Sequence, residues 1–299
     1  GLASTSYTIN LTSPQGYPTV RYFSTSDASA TWSLDAGTTG ATLASSSGAN
    51  TSVSIPQGAT GTATLTSDAY TVTFDVQANR PPSSSLKRGD TFYASGFDWR
   101  ILHKASNTDA LVIAEHIIDA QAINATPTNW DTDIRWDGSA LRASLNGSTY
   151  TYSYDNLTDI KTKILDTTLY TRIGWSDART APYKTGGTSD SGHNGYQELT
   201  NQKLFLLSEE EVFRTITYGS YTTDAASLDL TQNLYGQSVV LFADANARRT
   251  SGANSYYWLR SPRLLTIRAA VVGASAGTVN DYYVLYSYGV RPAFRMNLS

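Results

Sequence analysis

The alternation of apolar and polar residues is clearest near the start of the chain. Thr62-Ala-Thr-Leu-Thr66 and Tyr70-Thr-Val-Thr-Phe-Asp-Val76 switch character at every position, the period of a strand with one face buried. Ala30-Thr-Trp-Ser-Leu34 adds a further short strand with a tryptophan to bury. Gly37, Gly40, Gly48, Pro56-Gln-Gly58 and Gly61 punctuate these runs at turn spacing. Short strands and frequent turns predict a small all-β sandwich over residues 1–82. Arg80-Pro-Pro-Ser-Ser-Ser85 then predicts an extended, solvated hinge before a second domain over residues 88–299.

In that second stretch the pattern is mixed. Phe92 to Leu102 and Ala110 to Ile118 predict neighbouring strands, with Asn107-Thr-Asp109 as their turn. Leu141 and Leu145 lie four apart behind capping residues and predict a short helix. Ile160, Ile164 and Leu165 predict another over Leu157 to Leu169. Gly174 to Tyr196 is polar and Gly-rich, hence a long excursion. Lys203 to Ser208 predicts a short strand, and Ser208-Glu-Glu-Glu211 a capping box that opens a helix. Val239 to Ala243 and Tyr256 to Leu259 predict further strands. Gly289 to Met296 is also strand-like, with Pro292 at an edge or bulge. Strands and short helices with no regular βαβ succession predict an α+β class for this domain.

Composition narrows the chemistry. The chain of 299 residues has no cysteine, which excludes disulfides, zinc-thiolate sites and cysteine nucleophiles. A net charge of −3 with 16% charged residues offers no basic footprint for a phosphate backbone, so no nucleic-acid partner is expected. No apolar run approaches the roughly 18 residues that span a bilayer, so no membrane insertion is expected either. The three histidines, His103, His116 and His193, have no metal-ligand spacing, and neither a metal nor a cofactor is predicted. Asp131, Asp133 and Asp137 put three carboxylates within seven residues. They suit either a solvated loop with a helix cap or a calcium or acid/base site. Gly186-Gly-Thr-Ser-Asp-Ser-Gly192 lacks the Lys-Ser/Thr ending of a phosphate loop. The tail is the unusual part: Tyr282-Tyr-Val-Leu-Tyr-Ser-Tyr288 holds four tyrosines in seven residues, and Arg263-Leu-Leu-Thr-Ile-Arg268 precedes it. Neither run alternates cleanly. Tyrosine offers large contact area at low rotamer cost with a polar tip, which suits a binding surface; it also suits a ring packed across a sheet.

Five blocks occur in order: Ser95-Gly-Phe-Asp-Trp-Arg-Ile-Leu102, Trp136-Asp-Gly-Ser-Ala-Leu-Arg-Ala-Ser-Leu-Asn146, Lys203-Leu-Phe-Leu-Leu-Ser-Glu-Glu-Glu211, Tyr257-Trp-Leu-Arg-Ser-Pro262 and Gly289-Val-Arg-Pro-Ala-Phe294. Together they resemble the C-type-lectin-like domain of variable proteins from diversity-generating retroelements, most of all those of archaeal viruses. Residues 1–82 resemble, by type alone, the immunoglobulin-like modules of bacterial and viral surface proteins. The resemblance implies an α+β C-type-lectin-like fold behind a small all-β immunoglobulin-like sandwich. It also implies a hypervariable C-terminal region, about residues 263–288, whose selected Asn codons become almost any pyrimidine-ending codon.

Such codons cannot encode Lys, Glu, Gln, Met or Trp, and none of the five occurs from Ser261 to Pro292. The resemblance implies ligand-binding, variable positions at Leu264, Leu265, Thr266, Ile267, Arg268, Val272, Gly273, Asp281, Tyr282, Tyr283, Leu285, Tyr286 and Tyr288. Ala269, Val271, Gly277, Val279, Val284 and Gly289 are then scaffold. The calcium and sugar motif of carbohydrate-binding C-type lectins is missing. The expected function is therefore non-enzymatic: ligand or receptor binding, as in adhesion, at a virion or cell surface, toward a protein or glycan on a host or target cell. The competing expectation is a carbohydrate-binding module or glycan-directed enzyme using Asp131, Asp133 and Asp137.

Overall fold

The computed structural model describes residues 5–14, 17–68, 70–127, 135–172, 196–212, 256–263, 267–273 and 279–299. The chain divides into two compact units, Gly1–Ile101 and Leu102–Ser299. The first contains strands β1 (Thr5–Thr12), β2 (Thr19–Ser24), β3 (Trp32–Asp35), β4 (Thr42–Leu43), β5 (Asn50–Ile55), β6 (Gly61–Ser67), β7 (Tyr70–Gln77) and β8 (Thr91–Ala94). β9 (Phe97–Ser106) carries the chain from the first unit into the second.

Two sheets make up the body of the first unit, ordered β1-β7-β6-β3 and β2-β5-β4. β1 and β7 run parallel, with Thr5 opposite Tyr70 and Thr12 opposite Gln77. The period of 2 sends Thr51, Val53 and Ile55 of β5 inward, as it does Ala63 and Leu65 of β6. Val53, Ile55, Ala63 and Leu65 join Leu11, Phe23, Trp32, Val72 and Phe74 in one core drawn from both sheets. Phe23 and Phe74 meet edge to face at 5.9 Å, and the Trp32 indole donates to the Gly48 carbonyl at 2.7 Å. A buried tryptophan thus keeps its one polar group satisfied.

The Arg80–Ser85 stretch, expected to be a solvated hinge, is exposed at Pro81, Ser84 and Ser85 but lies within the first unit and is anchored at its ends. Arg80 Nη2 donates to the backbone oxygen and to Oδ2 of Asp75, both at 3.0 Å, and the Leu86 N–H donates to the Ser83 carbonyl. Just beyond it, the buried carboxylate of Asp90 accepts from the Asn10 backbone N–H and side-chain amide and from the Lys87 N–H, at 2.8 to 2.9 Å. The stretch expected as one strand from Phe92 to Leu102 is a hairpin. Ser95 and Gly96 both have positive φ, 51° and 87°, the requirement of a two-residue turn that matches strand twist.

The second unit continues with β10 (Asp109–Ala114), β11 (Asp119–Gln121), β12 (Thr167–Arg172), β13 (Tyr196–Gln202), β14 (Tyr257–Arg263), β15 (Arg268–Val272), β16 (Val279–Tyr283), β17 (Tyr288–Val290) and β18 (Ala293–Met296). The helices described are α1 (Ala140–Asn146), the single turn α2 (Glu209–Val212) and two 3-10 turns. Among the described residues strand takes up 47% and helix 8%, arranged as several small sheets, so the α+β C-type-lectin-like fold implied by the resemblance is not the fold of this protein. The helix expected over Leu157 to Leu169 shows why. That segment forms a 3-10 turn at Lys161–Lys163 and then enters β12, yet Leu157, Ile160 and Ile164 are all buried. Thr158, Ile160, Thr162 and Ile164 are β-branched and lose side-chain freedom in a helix, and isolated turns bury the same residues without one.

Helix α1 follows the expected pattern, with Ser139 Oγ accepting from the Arg142 N–H and Leu141 and Leu145 buried. The capping box is also present. Ser208 Oγ accepts from the Glu211 N–H at 3.2 Å, and Glu211 Oε2 accepts from the Ser208 N–H at 2.6 Å. Glu211 does more than cap: Arg260 of β14 donates from Nη1 to Glu211 Oε2 at 2.5 Å and to the Leu206 carbonyl at 2.7 Å. Both side chains of this pair are excluded from water. No helix among the described residues is long and apolar enough to cross a membrane.

Breaking a buried pair by removing one partner leaves the other charge stranded. Glu211→Ala should cost about 3–5 kcal/mol in urea unfolding; a loss under about 1 kcal/mol, the range of exposed pairs, would show the pair to be dispensable.

Candidate functional site

The C-terminal residues singled out by their composition converge on one five-stranded sheet, ordered β11-β17-β14-β15-β16. β15 pairs antiparallel with β14 and with β16, the latter placing Arg268 opposite Tyr283 and Ala270 opposite Asp281. β17 lies between β11 and β14, antiparallel to the first with Tyr288 opposite Gln121, and parallel to the second with Gly289 opposite Tyr257. The Trp258 indole donates to the Gln121 carbonyl at 2.8 Å, which ties β14 to β11 across β17.

This frame is apolar and dry. Trp258, Ala269, Ala270, Val271, Val272, Val284 and Val290 are all fully buried. Gly289 has no room for a side chain: a Cβ there would lie 2.4 Å from Ile117 Cδ1 and 2.8 Å from the Tyr256 carbonyl oxygen. The Gly289 N–H donates to that carbonyl at 2.9 Å. Glycine is required here by close backbone approach.

The turn after β16 is set by backbone contacts. The Val284 N–H donates to the Ile267 carbonyl at 2.8 Å, the Val284 carbonyl accepts from the Asn124 N–H at 3.1 Å, and the Tyr286 N–H donates to the Tyr283 carbonyl at 3.0 Å. With Val284 buried, its neighbours face water: Tyr283, Leu285 and Tyr286 are 36%, 40% and 46% exposed, among the few large apolar side chains in that state. Tyr286 stands nearly perpendicular to Tyr283, at 5.7 Å, and to Tyr288, at 6.5 Å. Tyr288 continues the aromatic network to Trp258 at 5.1 Å, Tyr256 at 5.6 Å and Tyr282 at 4.8 Å. Edge-to-face rings of this kind attract through their quadrupoles and hold each other's orientation.

Arg268 and Asp281 supply the charged groups. Arg268 Nη1 donates to Asp281 Oδ2 at 3.1 Å, and its guanidinium lies 4.4 Å from the centre of the Tyr283 ring. Contacts with Tyr283 and then Asp281 raise the Arg268 pKa, so the cation is held in place and paired. A hydrogen bond with Tyr256, followed by burial, pushes the Tyr282 phenol up to about 12, and burial also raises Tyr288. At the far edge, the Tyr150 hydroxyl donates to Asp119 Oδ2 at 2.7 Å, which also accepts from Gln121 Nε2 at 3.0 Å. Burial, then that contact with Asp119, pushes the Tyr150 phenol up as well. The face is therefore aromatic, carries one paired cation, and is fringed with hydroxyl, amide and carboxylate groups.

Of the positions implied to vary, Arg268, Asp281, Tyr282, Tyr283, Leu285, Tyr286 and Tyr288 are brought together on this face, with Ile267 beside them. Val272 and Gly273 are buried with the frame and are not presented to a ligand. Leu264, Leu265 and Thr266 lie outside the described residues, as do Asp131, Asp133, His193, Gly277 and the Val239 to Ala243 segment. Asp137 is half-buried, 3.3 Å from Arg135 Nη2. Among the described residues no three His, Asp or Glu side chains gather as a metal site. Sequence reasoning missed Tyr256, which touches both Tyr282 and Tyr288, and the flank formed by Asp119, Gln121 and Tyr150. The Tyr256-Tyr257-Trp258 run was the available signal, but period alone does not tell which rings meet.

Among known proteins, a family described as a domain of unknown function (DUF6273) matches residues 107–298. No curated protein and no solved structure matches the chain.

Gly289→Ala should lower stability by about 1–3 kcal/mol, the range of overpacked cores, and weaken the near-ultraviolet dichroism of the ring cluster; an unchanged spectrum and midpoint would refute the close approach. A phenol titration followed by absorbance should show Tyr282 ionising near 12, where a free tyrosine does so at about 10. The folded chain keeps that proton while the unfolded chain loses it. The contribution is thus constant below about pH 10 and is lost as pH rises from about 10 to about 12. Tyr256→Phe should bring the late step down.

Proposed function

We propose, for a chain that belongs to this family of domains of unknown function, that the tyrosine face is a ligand-binding surface. On this reading the protein is a non-enzymatic adhesion or receptor-binding protein of a virion or cell, and the N-terminal unit serves as spacer or attachment. The observation that carries the proposal is local. Tyr283, Leu285 and Tyr286 are exposed around a fully buried Val284, so large side chains occupy positions that folding does not need. Exposed aromatic residues that cluster on a rigid support supply most of the affinity at protein interfaces. Tyr288 and Tyr256 support the exposed rings from behind, while Arg268, Asp281 and the Asp119 flank add directional polar contacts. The ligand is a protein or glycan on a host or target cell. Weak single contacts suffice if many copies are displayed together.

We further propose that this face is diversified by a retroelement. Support comes from the missing Lys, Glu, Gln, Met and Trp between Ser261 and Pro292. That part stands independently of the lectin fold, which this protein does not have.

The test needs no ligand. Full-length chains randomised with pyrimidine-ending codons at 283, 285 and 286 should remain folded in nearly every clone when sorted by display level and protease resistance. The same randomisation at 269, 271 and 284 should leave only small apolar residues. Comparable losses in both libraries would make the rings structural and end the reading. The double variant Tyr283→Ala/Tyr286→Ala should likewise melt within about 2 °C of the parent, as expected for surface changes. For diversification, the flanking DNA should hold a near-duplicate of the final segment with Asn codons at the face positions, beside a reverse transcriptase gene.

A further inference from the structure

We infer that Ile267 is a specificity-determining residue of the tyrosine face, an apolar anchor kept for what the face binds and against the preference of the backbone. The inference rests on the binding-face reading above and goes beyond it by assigning a role to one residue from its conformation. Among the described residues, four other than glycine have positive φ: Asn79, Ser95, Asn201 and Ile267. The first three are short and polar, the kind that tolerates the left-handed region through local hydrogen bonding. Ile267, at φ 63°, is β-branched, and for such a side chain this region is an outlier.

The conformation is imposed from outside the residue. Its carbonyl accepts the Val284 N–H at 2.8 Å, and the next residue, Arg268, is locked opposite Tyr283 in the ladder between β15 and β16. Any residue at 267 must therefore adopt the same backbone, and glycine or asparagine would do so with less strain. Core packing does not compensate, because Ile267 is only half-buried and is not among the core residues. What is special is its location. Its hydrogen-bond partner, Val284, is the buried residue whose neighbours Tyr283 and Leu285 are the exposed ones. Strain that the surrounding structure over-determines is characteristic of ligand contacts. With its backbone bonded to Val284, a branched apolar side chain at 267 would add a dry contact that glycine and asparagine cannot make.

The experiment uses the full chain and the variants Ile267→Asn, Ile267→Gly and Tyr283→Ala/Tyr286→Ala. Relieving the left-handed β-branched residue should raise the melting temperature of the first two by about 2 °C or more. A phage-displayed random-peptide library is then panned on the parent, and the affinity of each recovered peptide is measured on every variant. Peptides that lose affinity with the double tyrosine variant should also lose at least tenfold on Ile267→Asn. A fall in melting temperature for both Asn and Gly would make Ile267 a folding residue and overturn the inference. Unchanged peptide affinity on Ile267→Asn, with binding lost on the tyrosine variant, would overturn it while leaving the face in place. Peptides indifferent to all three variants would remove the face and the anchor together.

Discussion

The turn that follows β16 is held by three backbone hydrogen bonds, one from the Val284 N–H to Ile267, one from Asn124 to the Val284 carbonyl, and one closing Tyr283 to Tyr286. Together they press Val284 into the interior, and the chain geometry does the rest. Val284 is buried in this turn, and its neighbours Tyr283 and Leu285 are turned outward and exposed. The frame behind them is held as well, since Trp258 is anchored to Gln121 across β17 and Gly289 leaves no space for displacement. The face depends on this separation between residues that carry the fold and residues that are carried by it.

The support of the face is aromatic as well as aliphatic. Tyr256, Tyr282, Tyr288 and Trp258 form a connected set of tilted and edge-on rings, and Tyr286 and Tyr283 extend it to the surface. Each contact adds only about 0.5–1.5 kcal/mol beyond area burial. The set as a whole fixes ring orientations in advance, which would lower the ordering cost of the proposed binding. Arg268 plays a similar part: with its charge paired to Asp281 and spread over Tyr283, it is preorganised and its strongest partner is already present. The buried Glu211–Arg260 pair lies elsewhere on β14 and serves the fold, where its worth is in the cost of losing either member.

The lectin-like expectation failed for a physical reason. It rested on five blocks, and each block records local needs: a tryptophan to bury, a capped turn of helix, an arginine to pair. Ser139 and Ser208 do cap helices, and Arg260 is buried with its carboxylate. Such needs recur in many architectures. Which strands become neighbours depends on contacts distant in sequence, such as Gln121 beside Tyr288 and Tyr257 beside Gly289.

By itself the sequence determined three strands of the first unit, those of Ala30–Leu34, Thr62–Thr66 and Tyr70–Val76, because a period of 2 is a local property. It determined too that the tail is rich in tyrosine and lacks the five residues that pyrimidine-ending codons exclude. Only the tertiary structure decided which tail residues are presented. Val272 and Leu285 look alike in a list of apolar residues, yet one is buried in a central strand and the other exposed in a turn. Tyr256 joined the cluster, and the Phe92 to Leu102 run became a hairpin at Ser95-Gly96, through pairing that no window of neighbouring residues encodes. Burial is a property of the assembled sheet, summed over partners far apart along the chain, and that is why the face became visible only once the strands were in place.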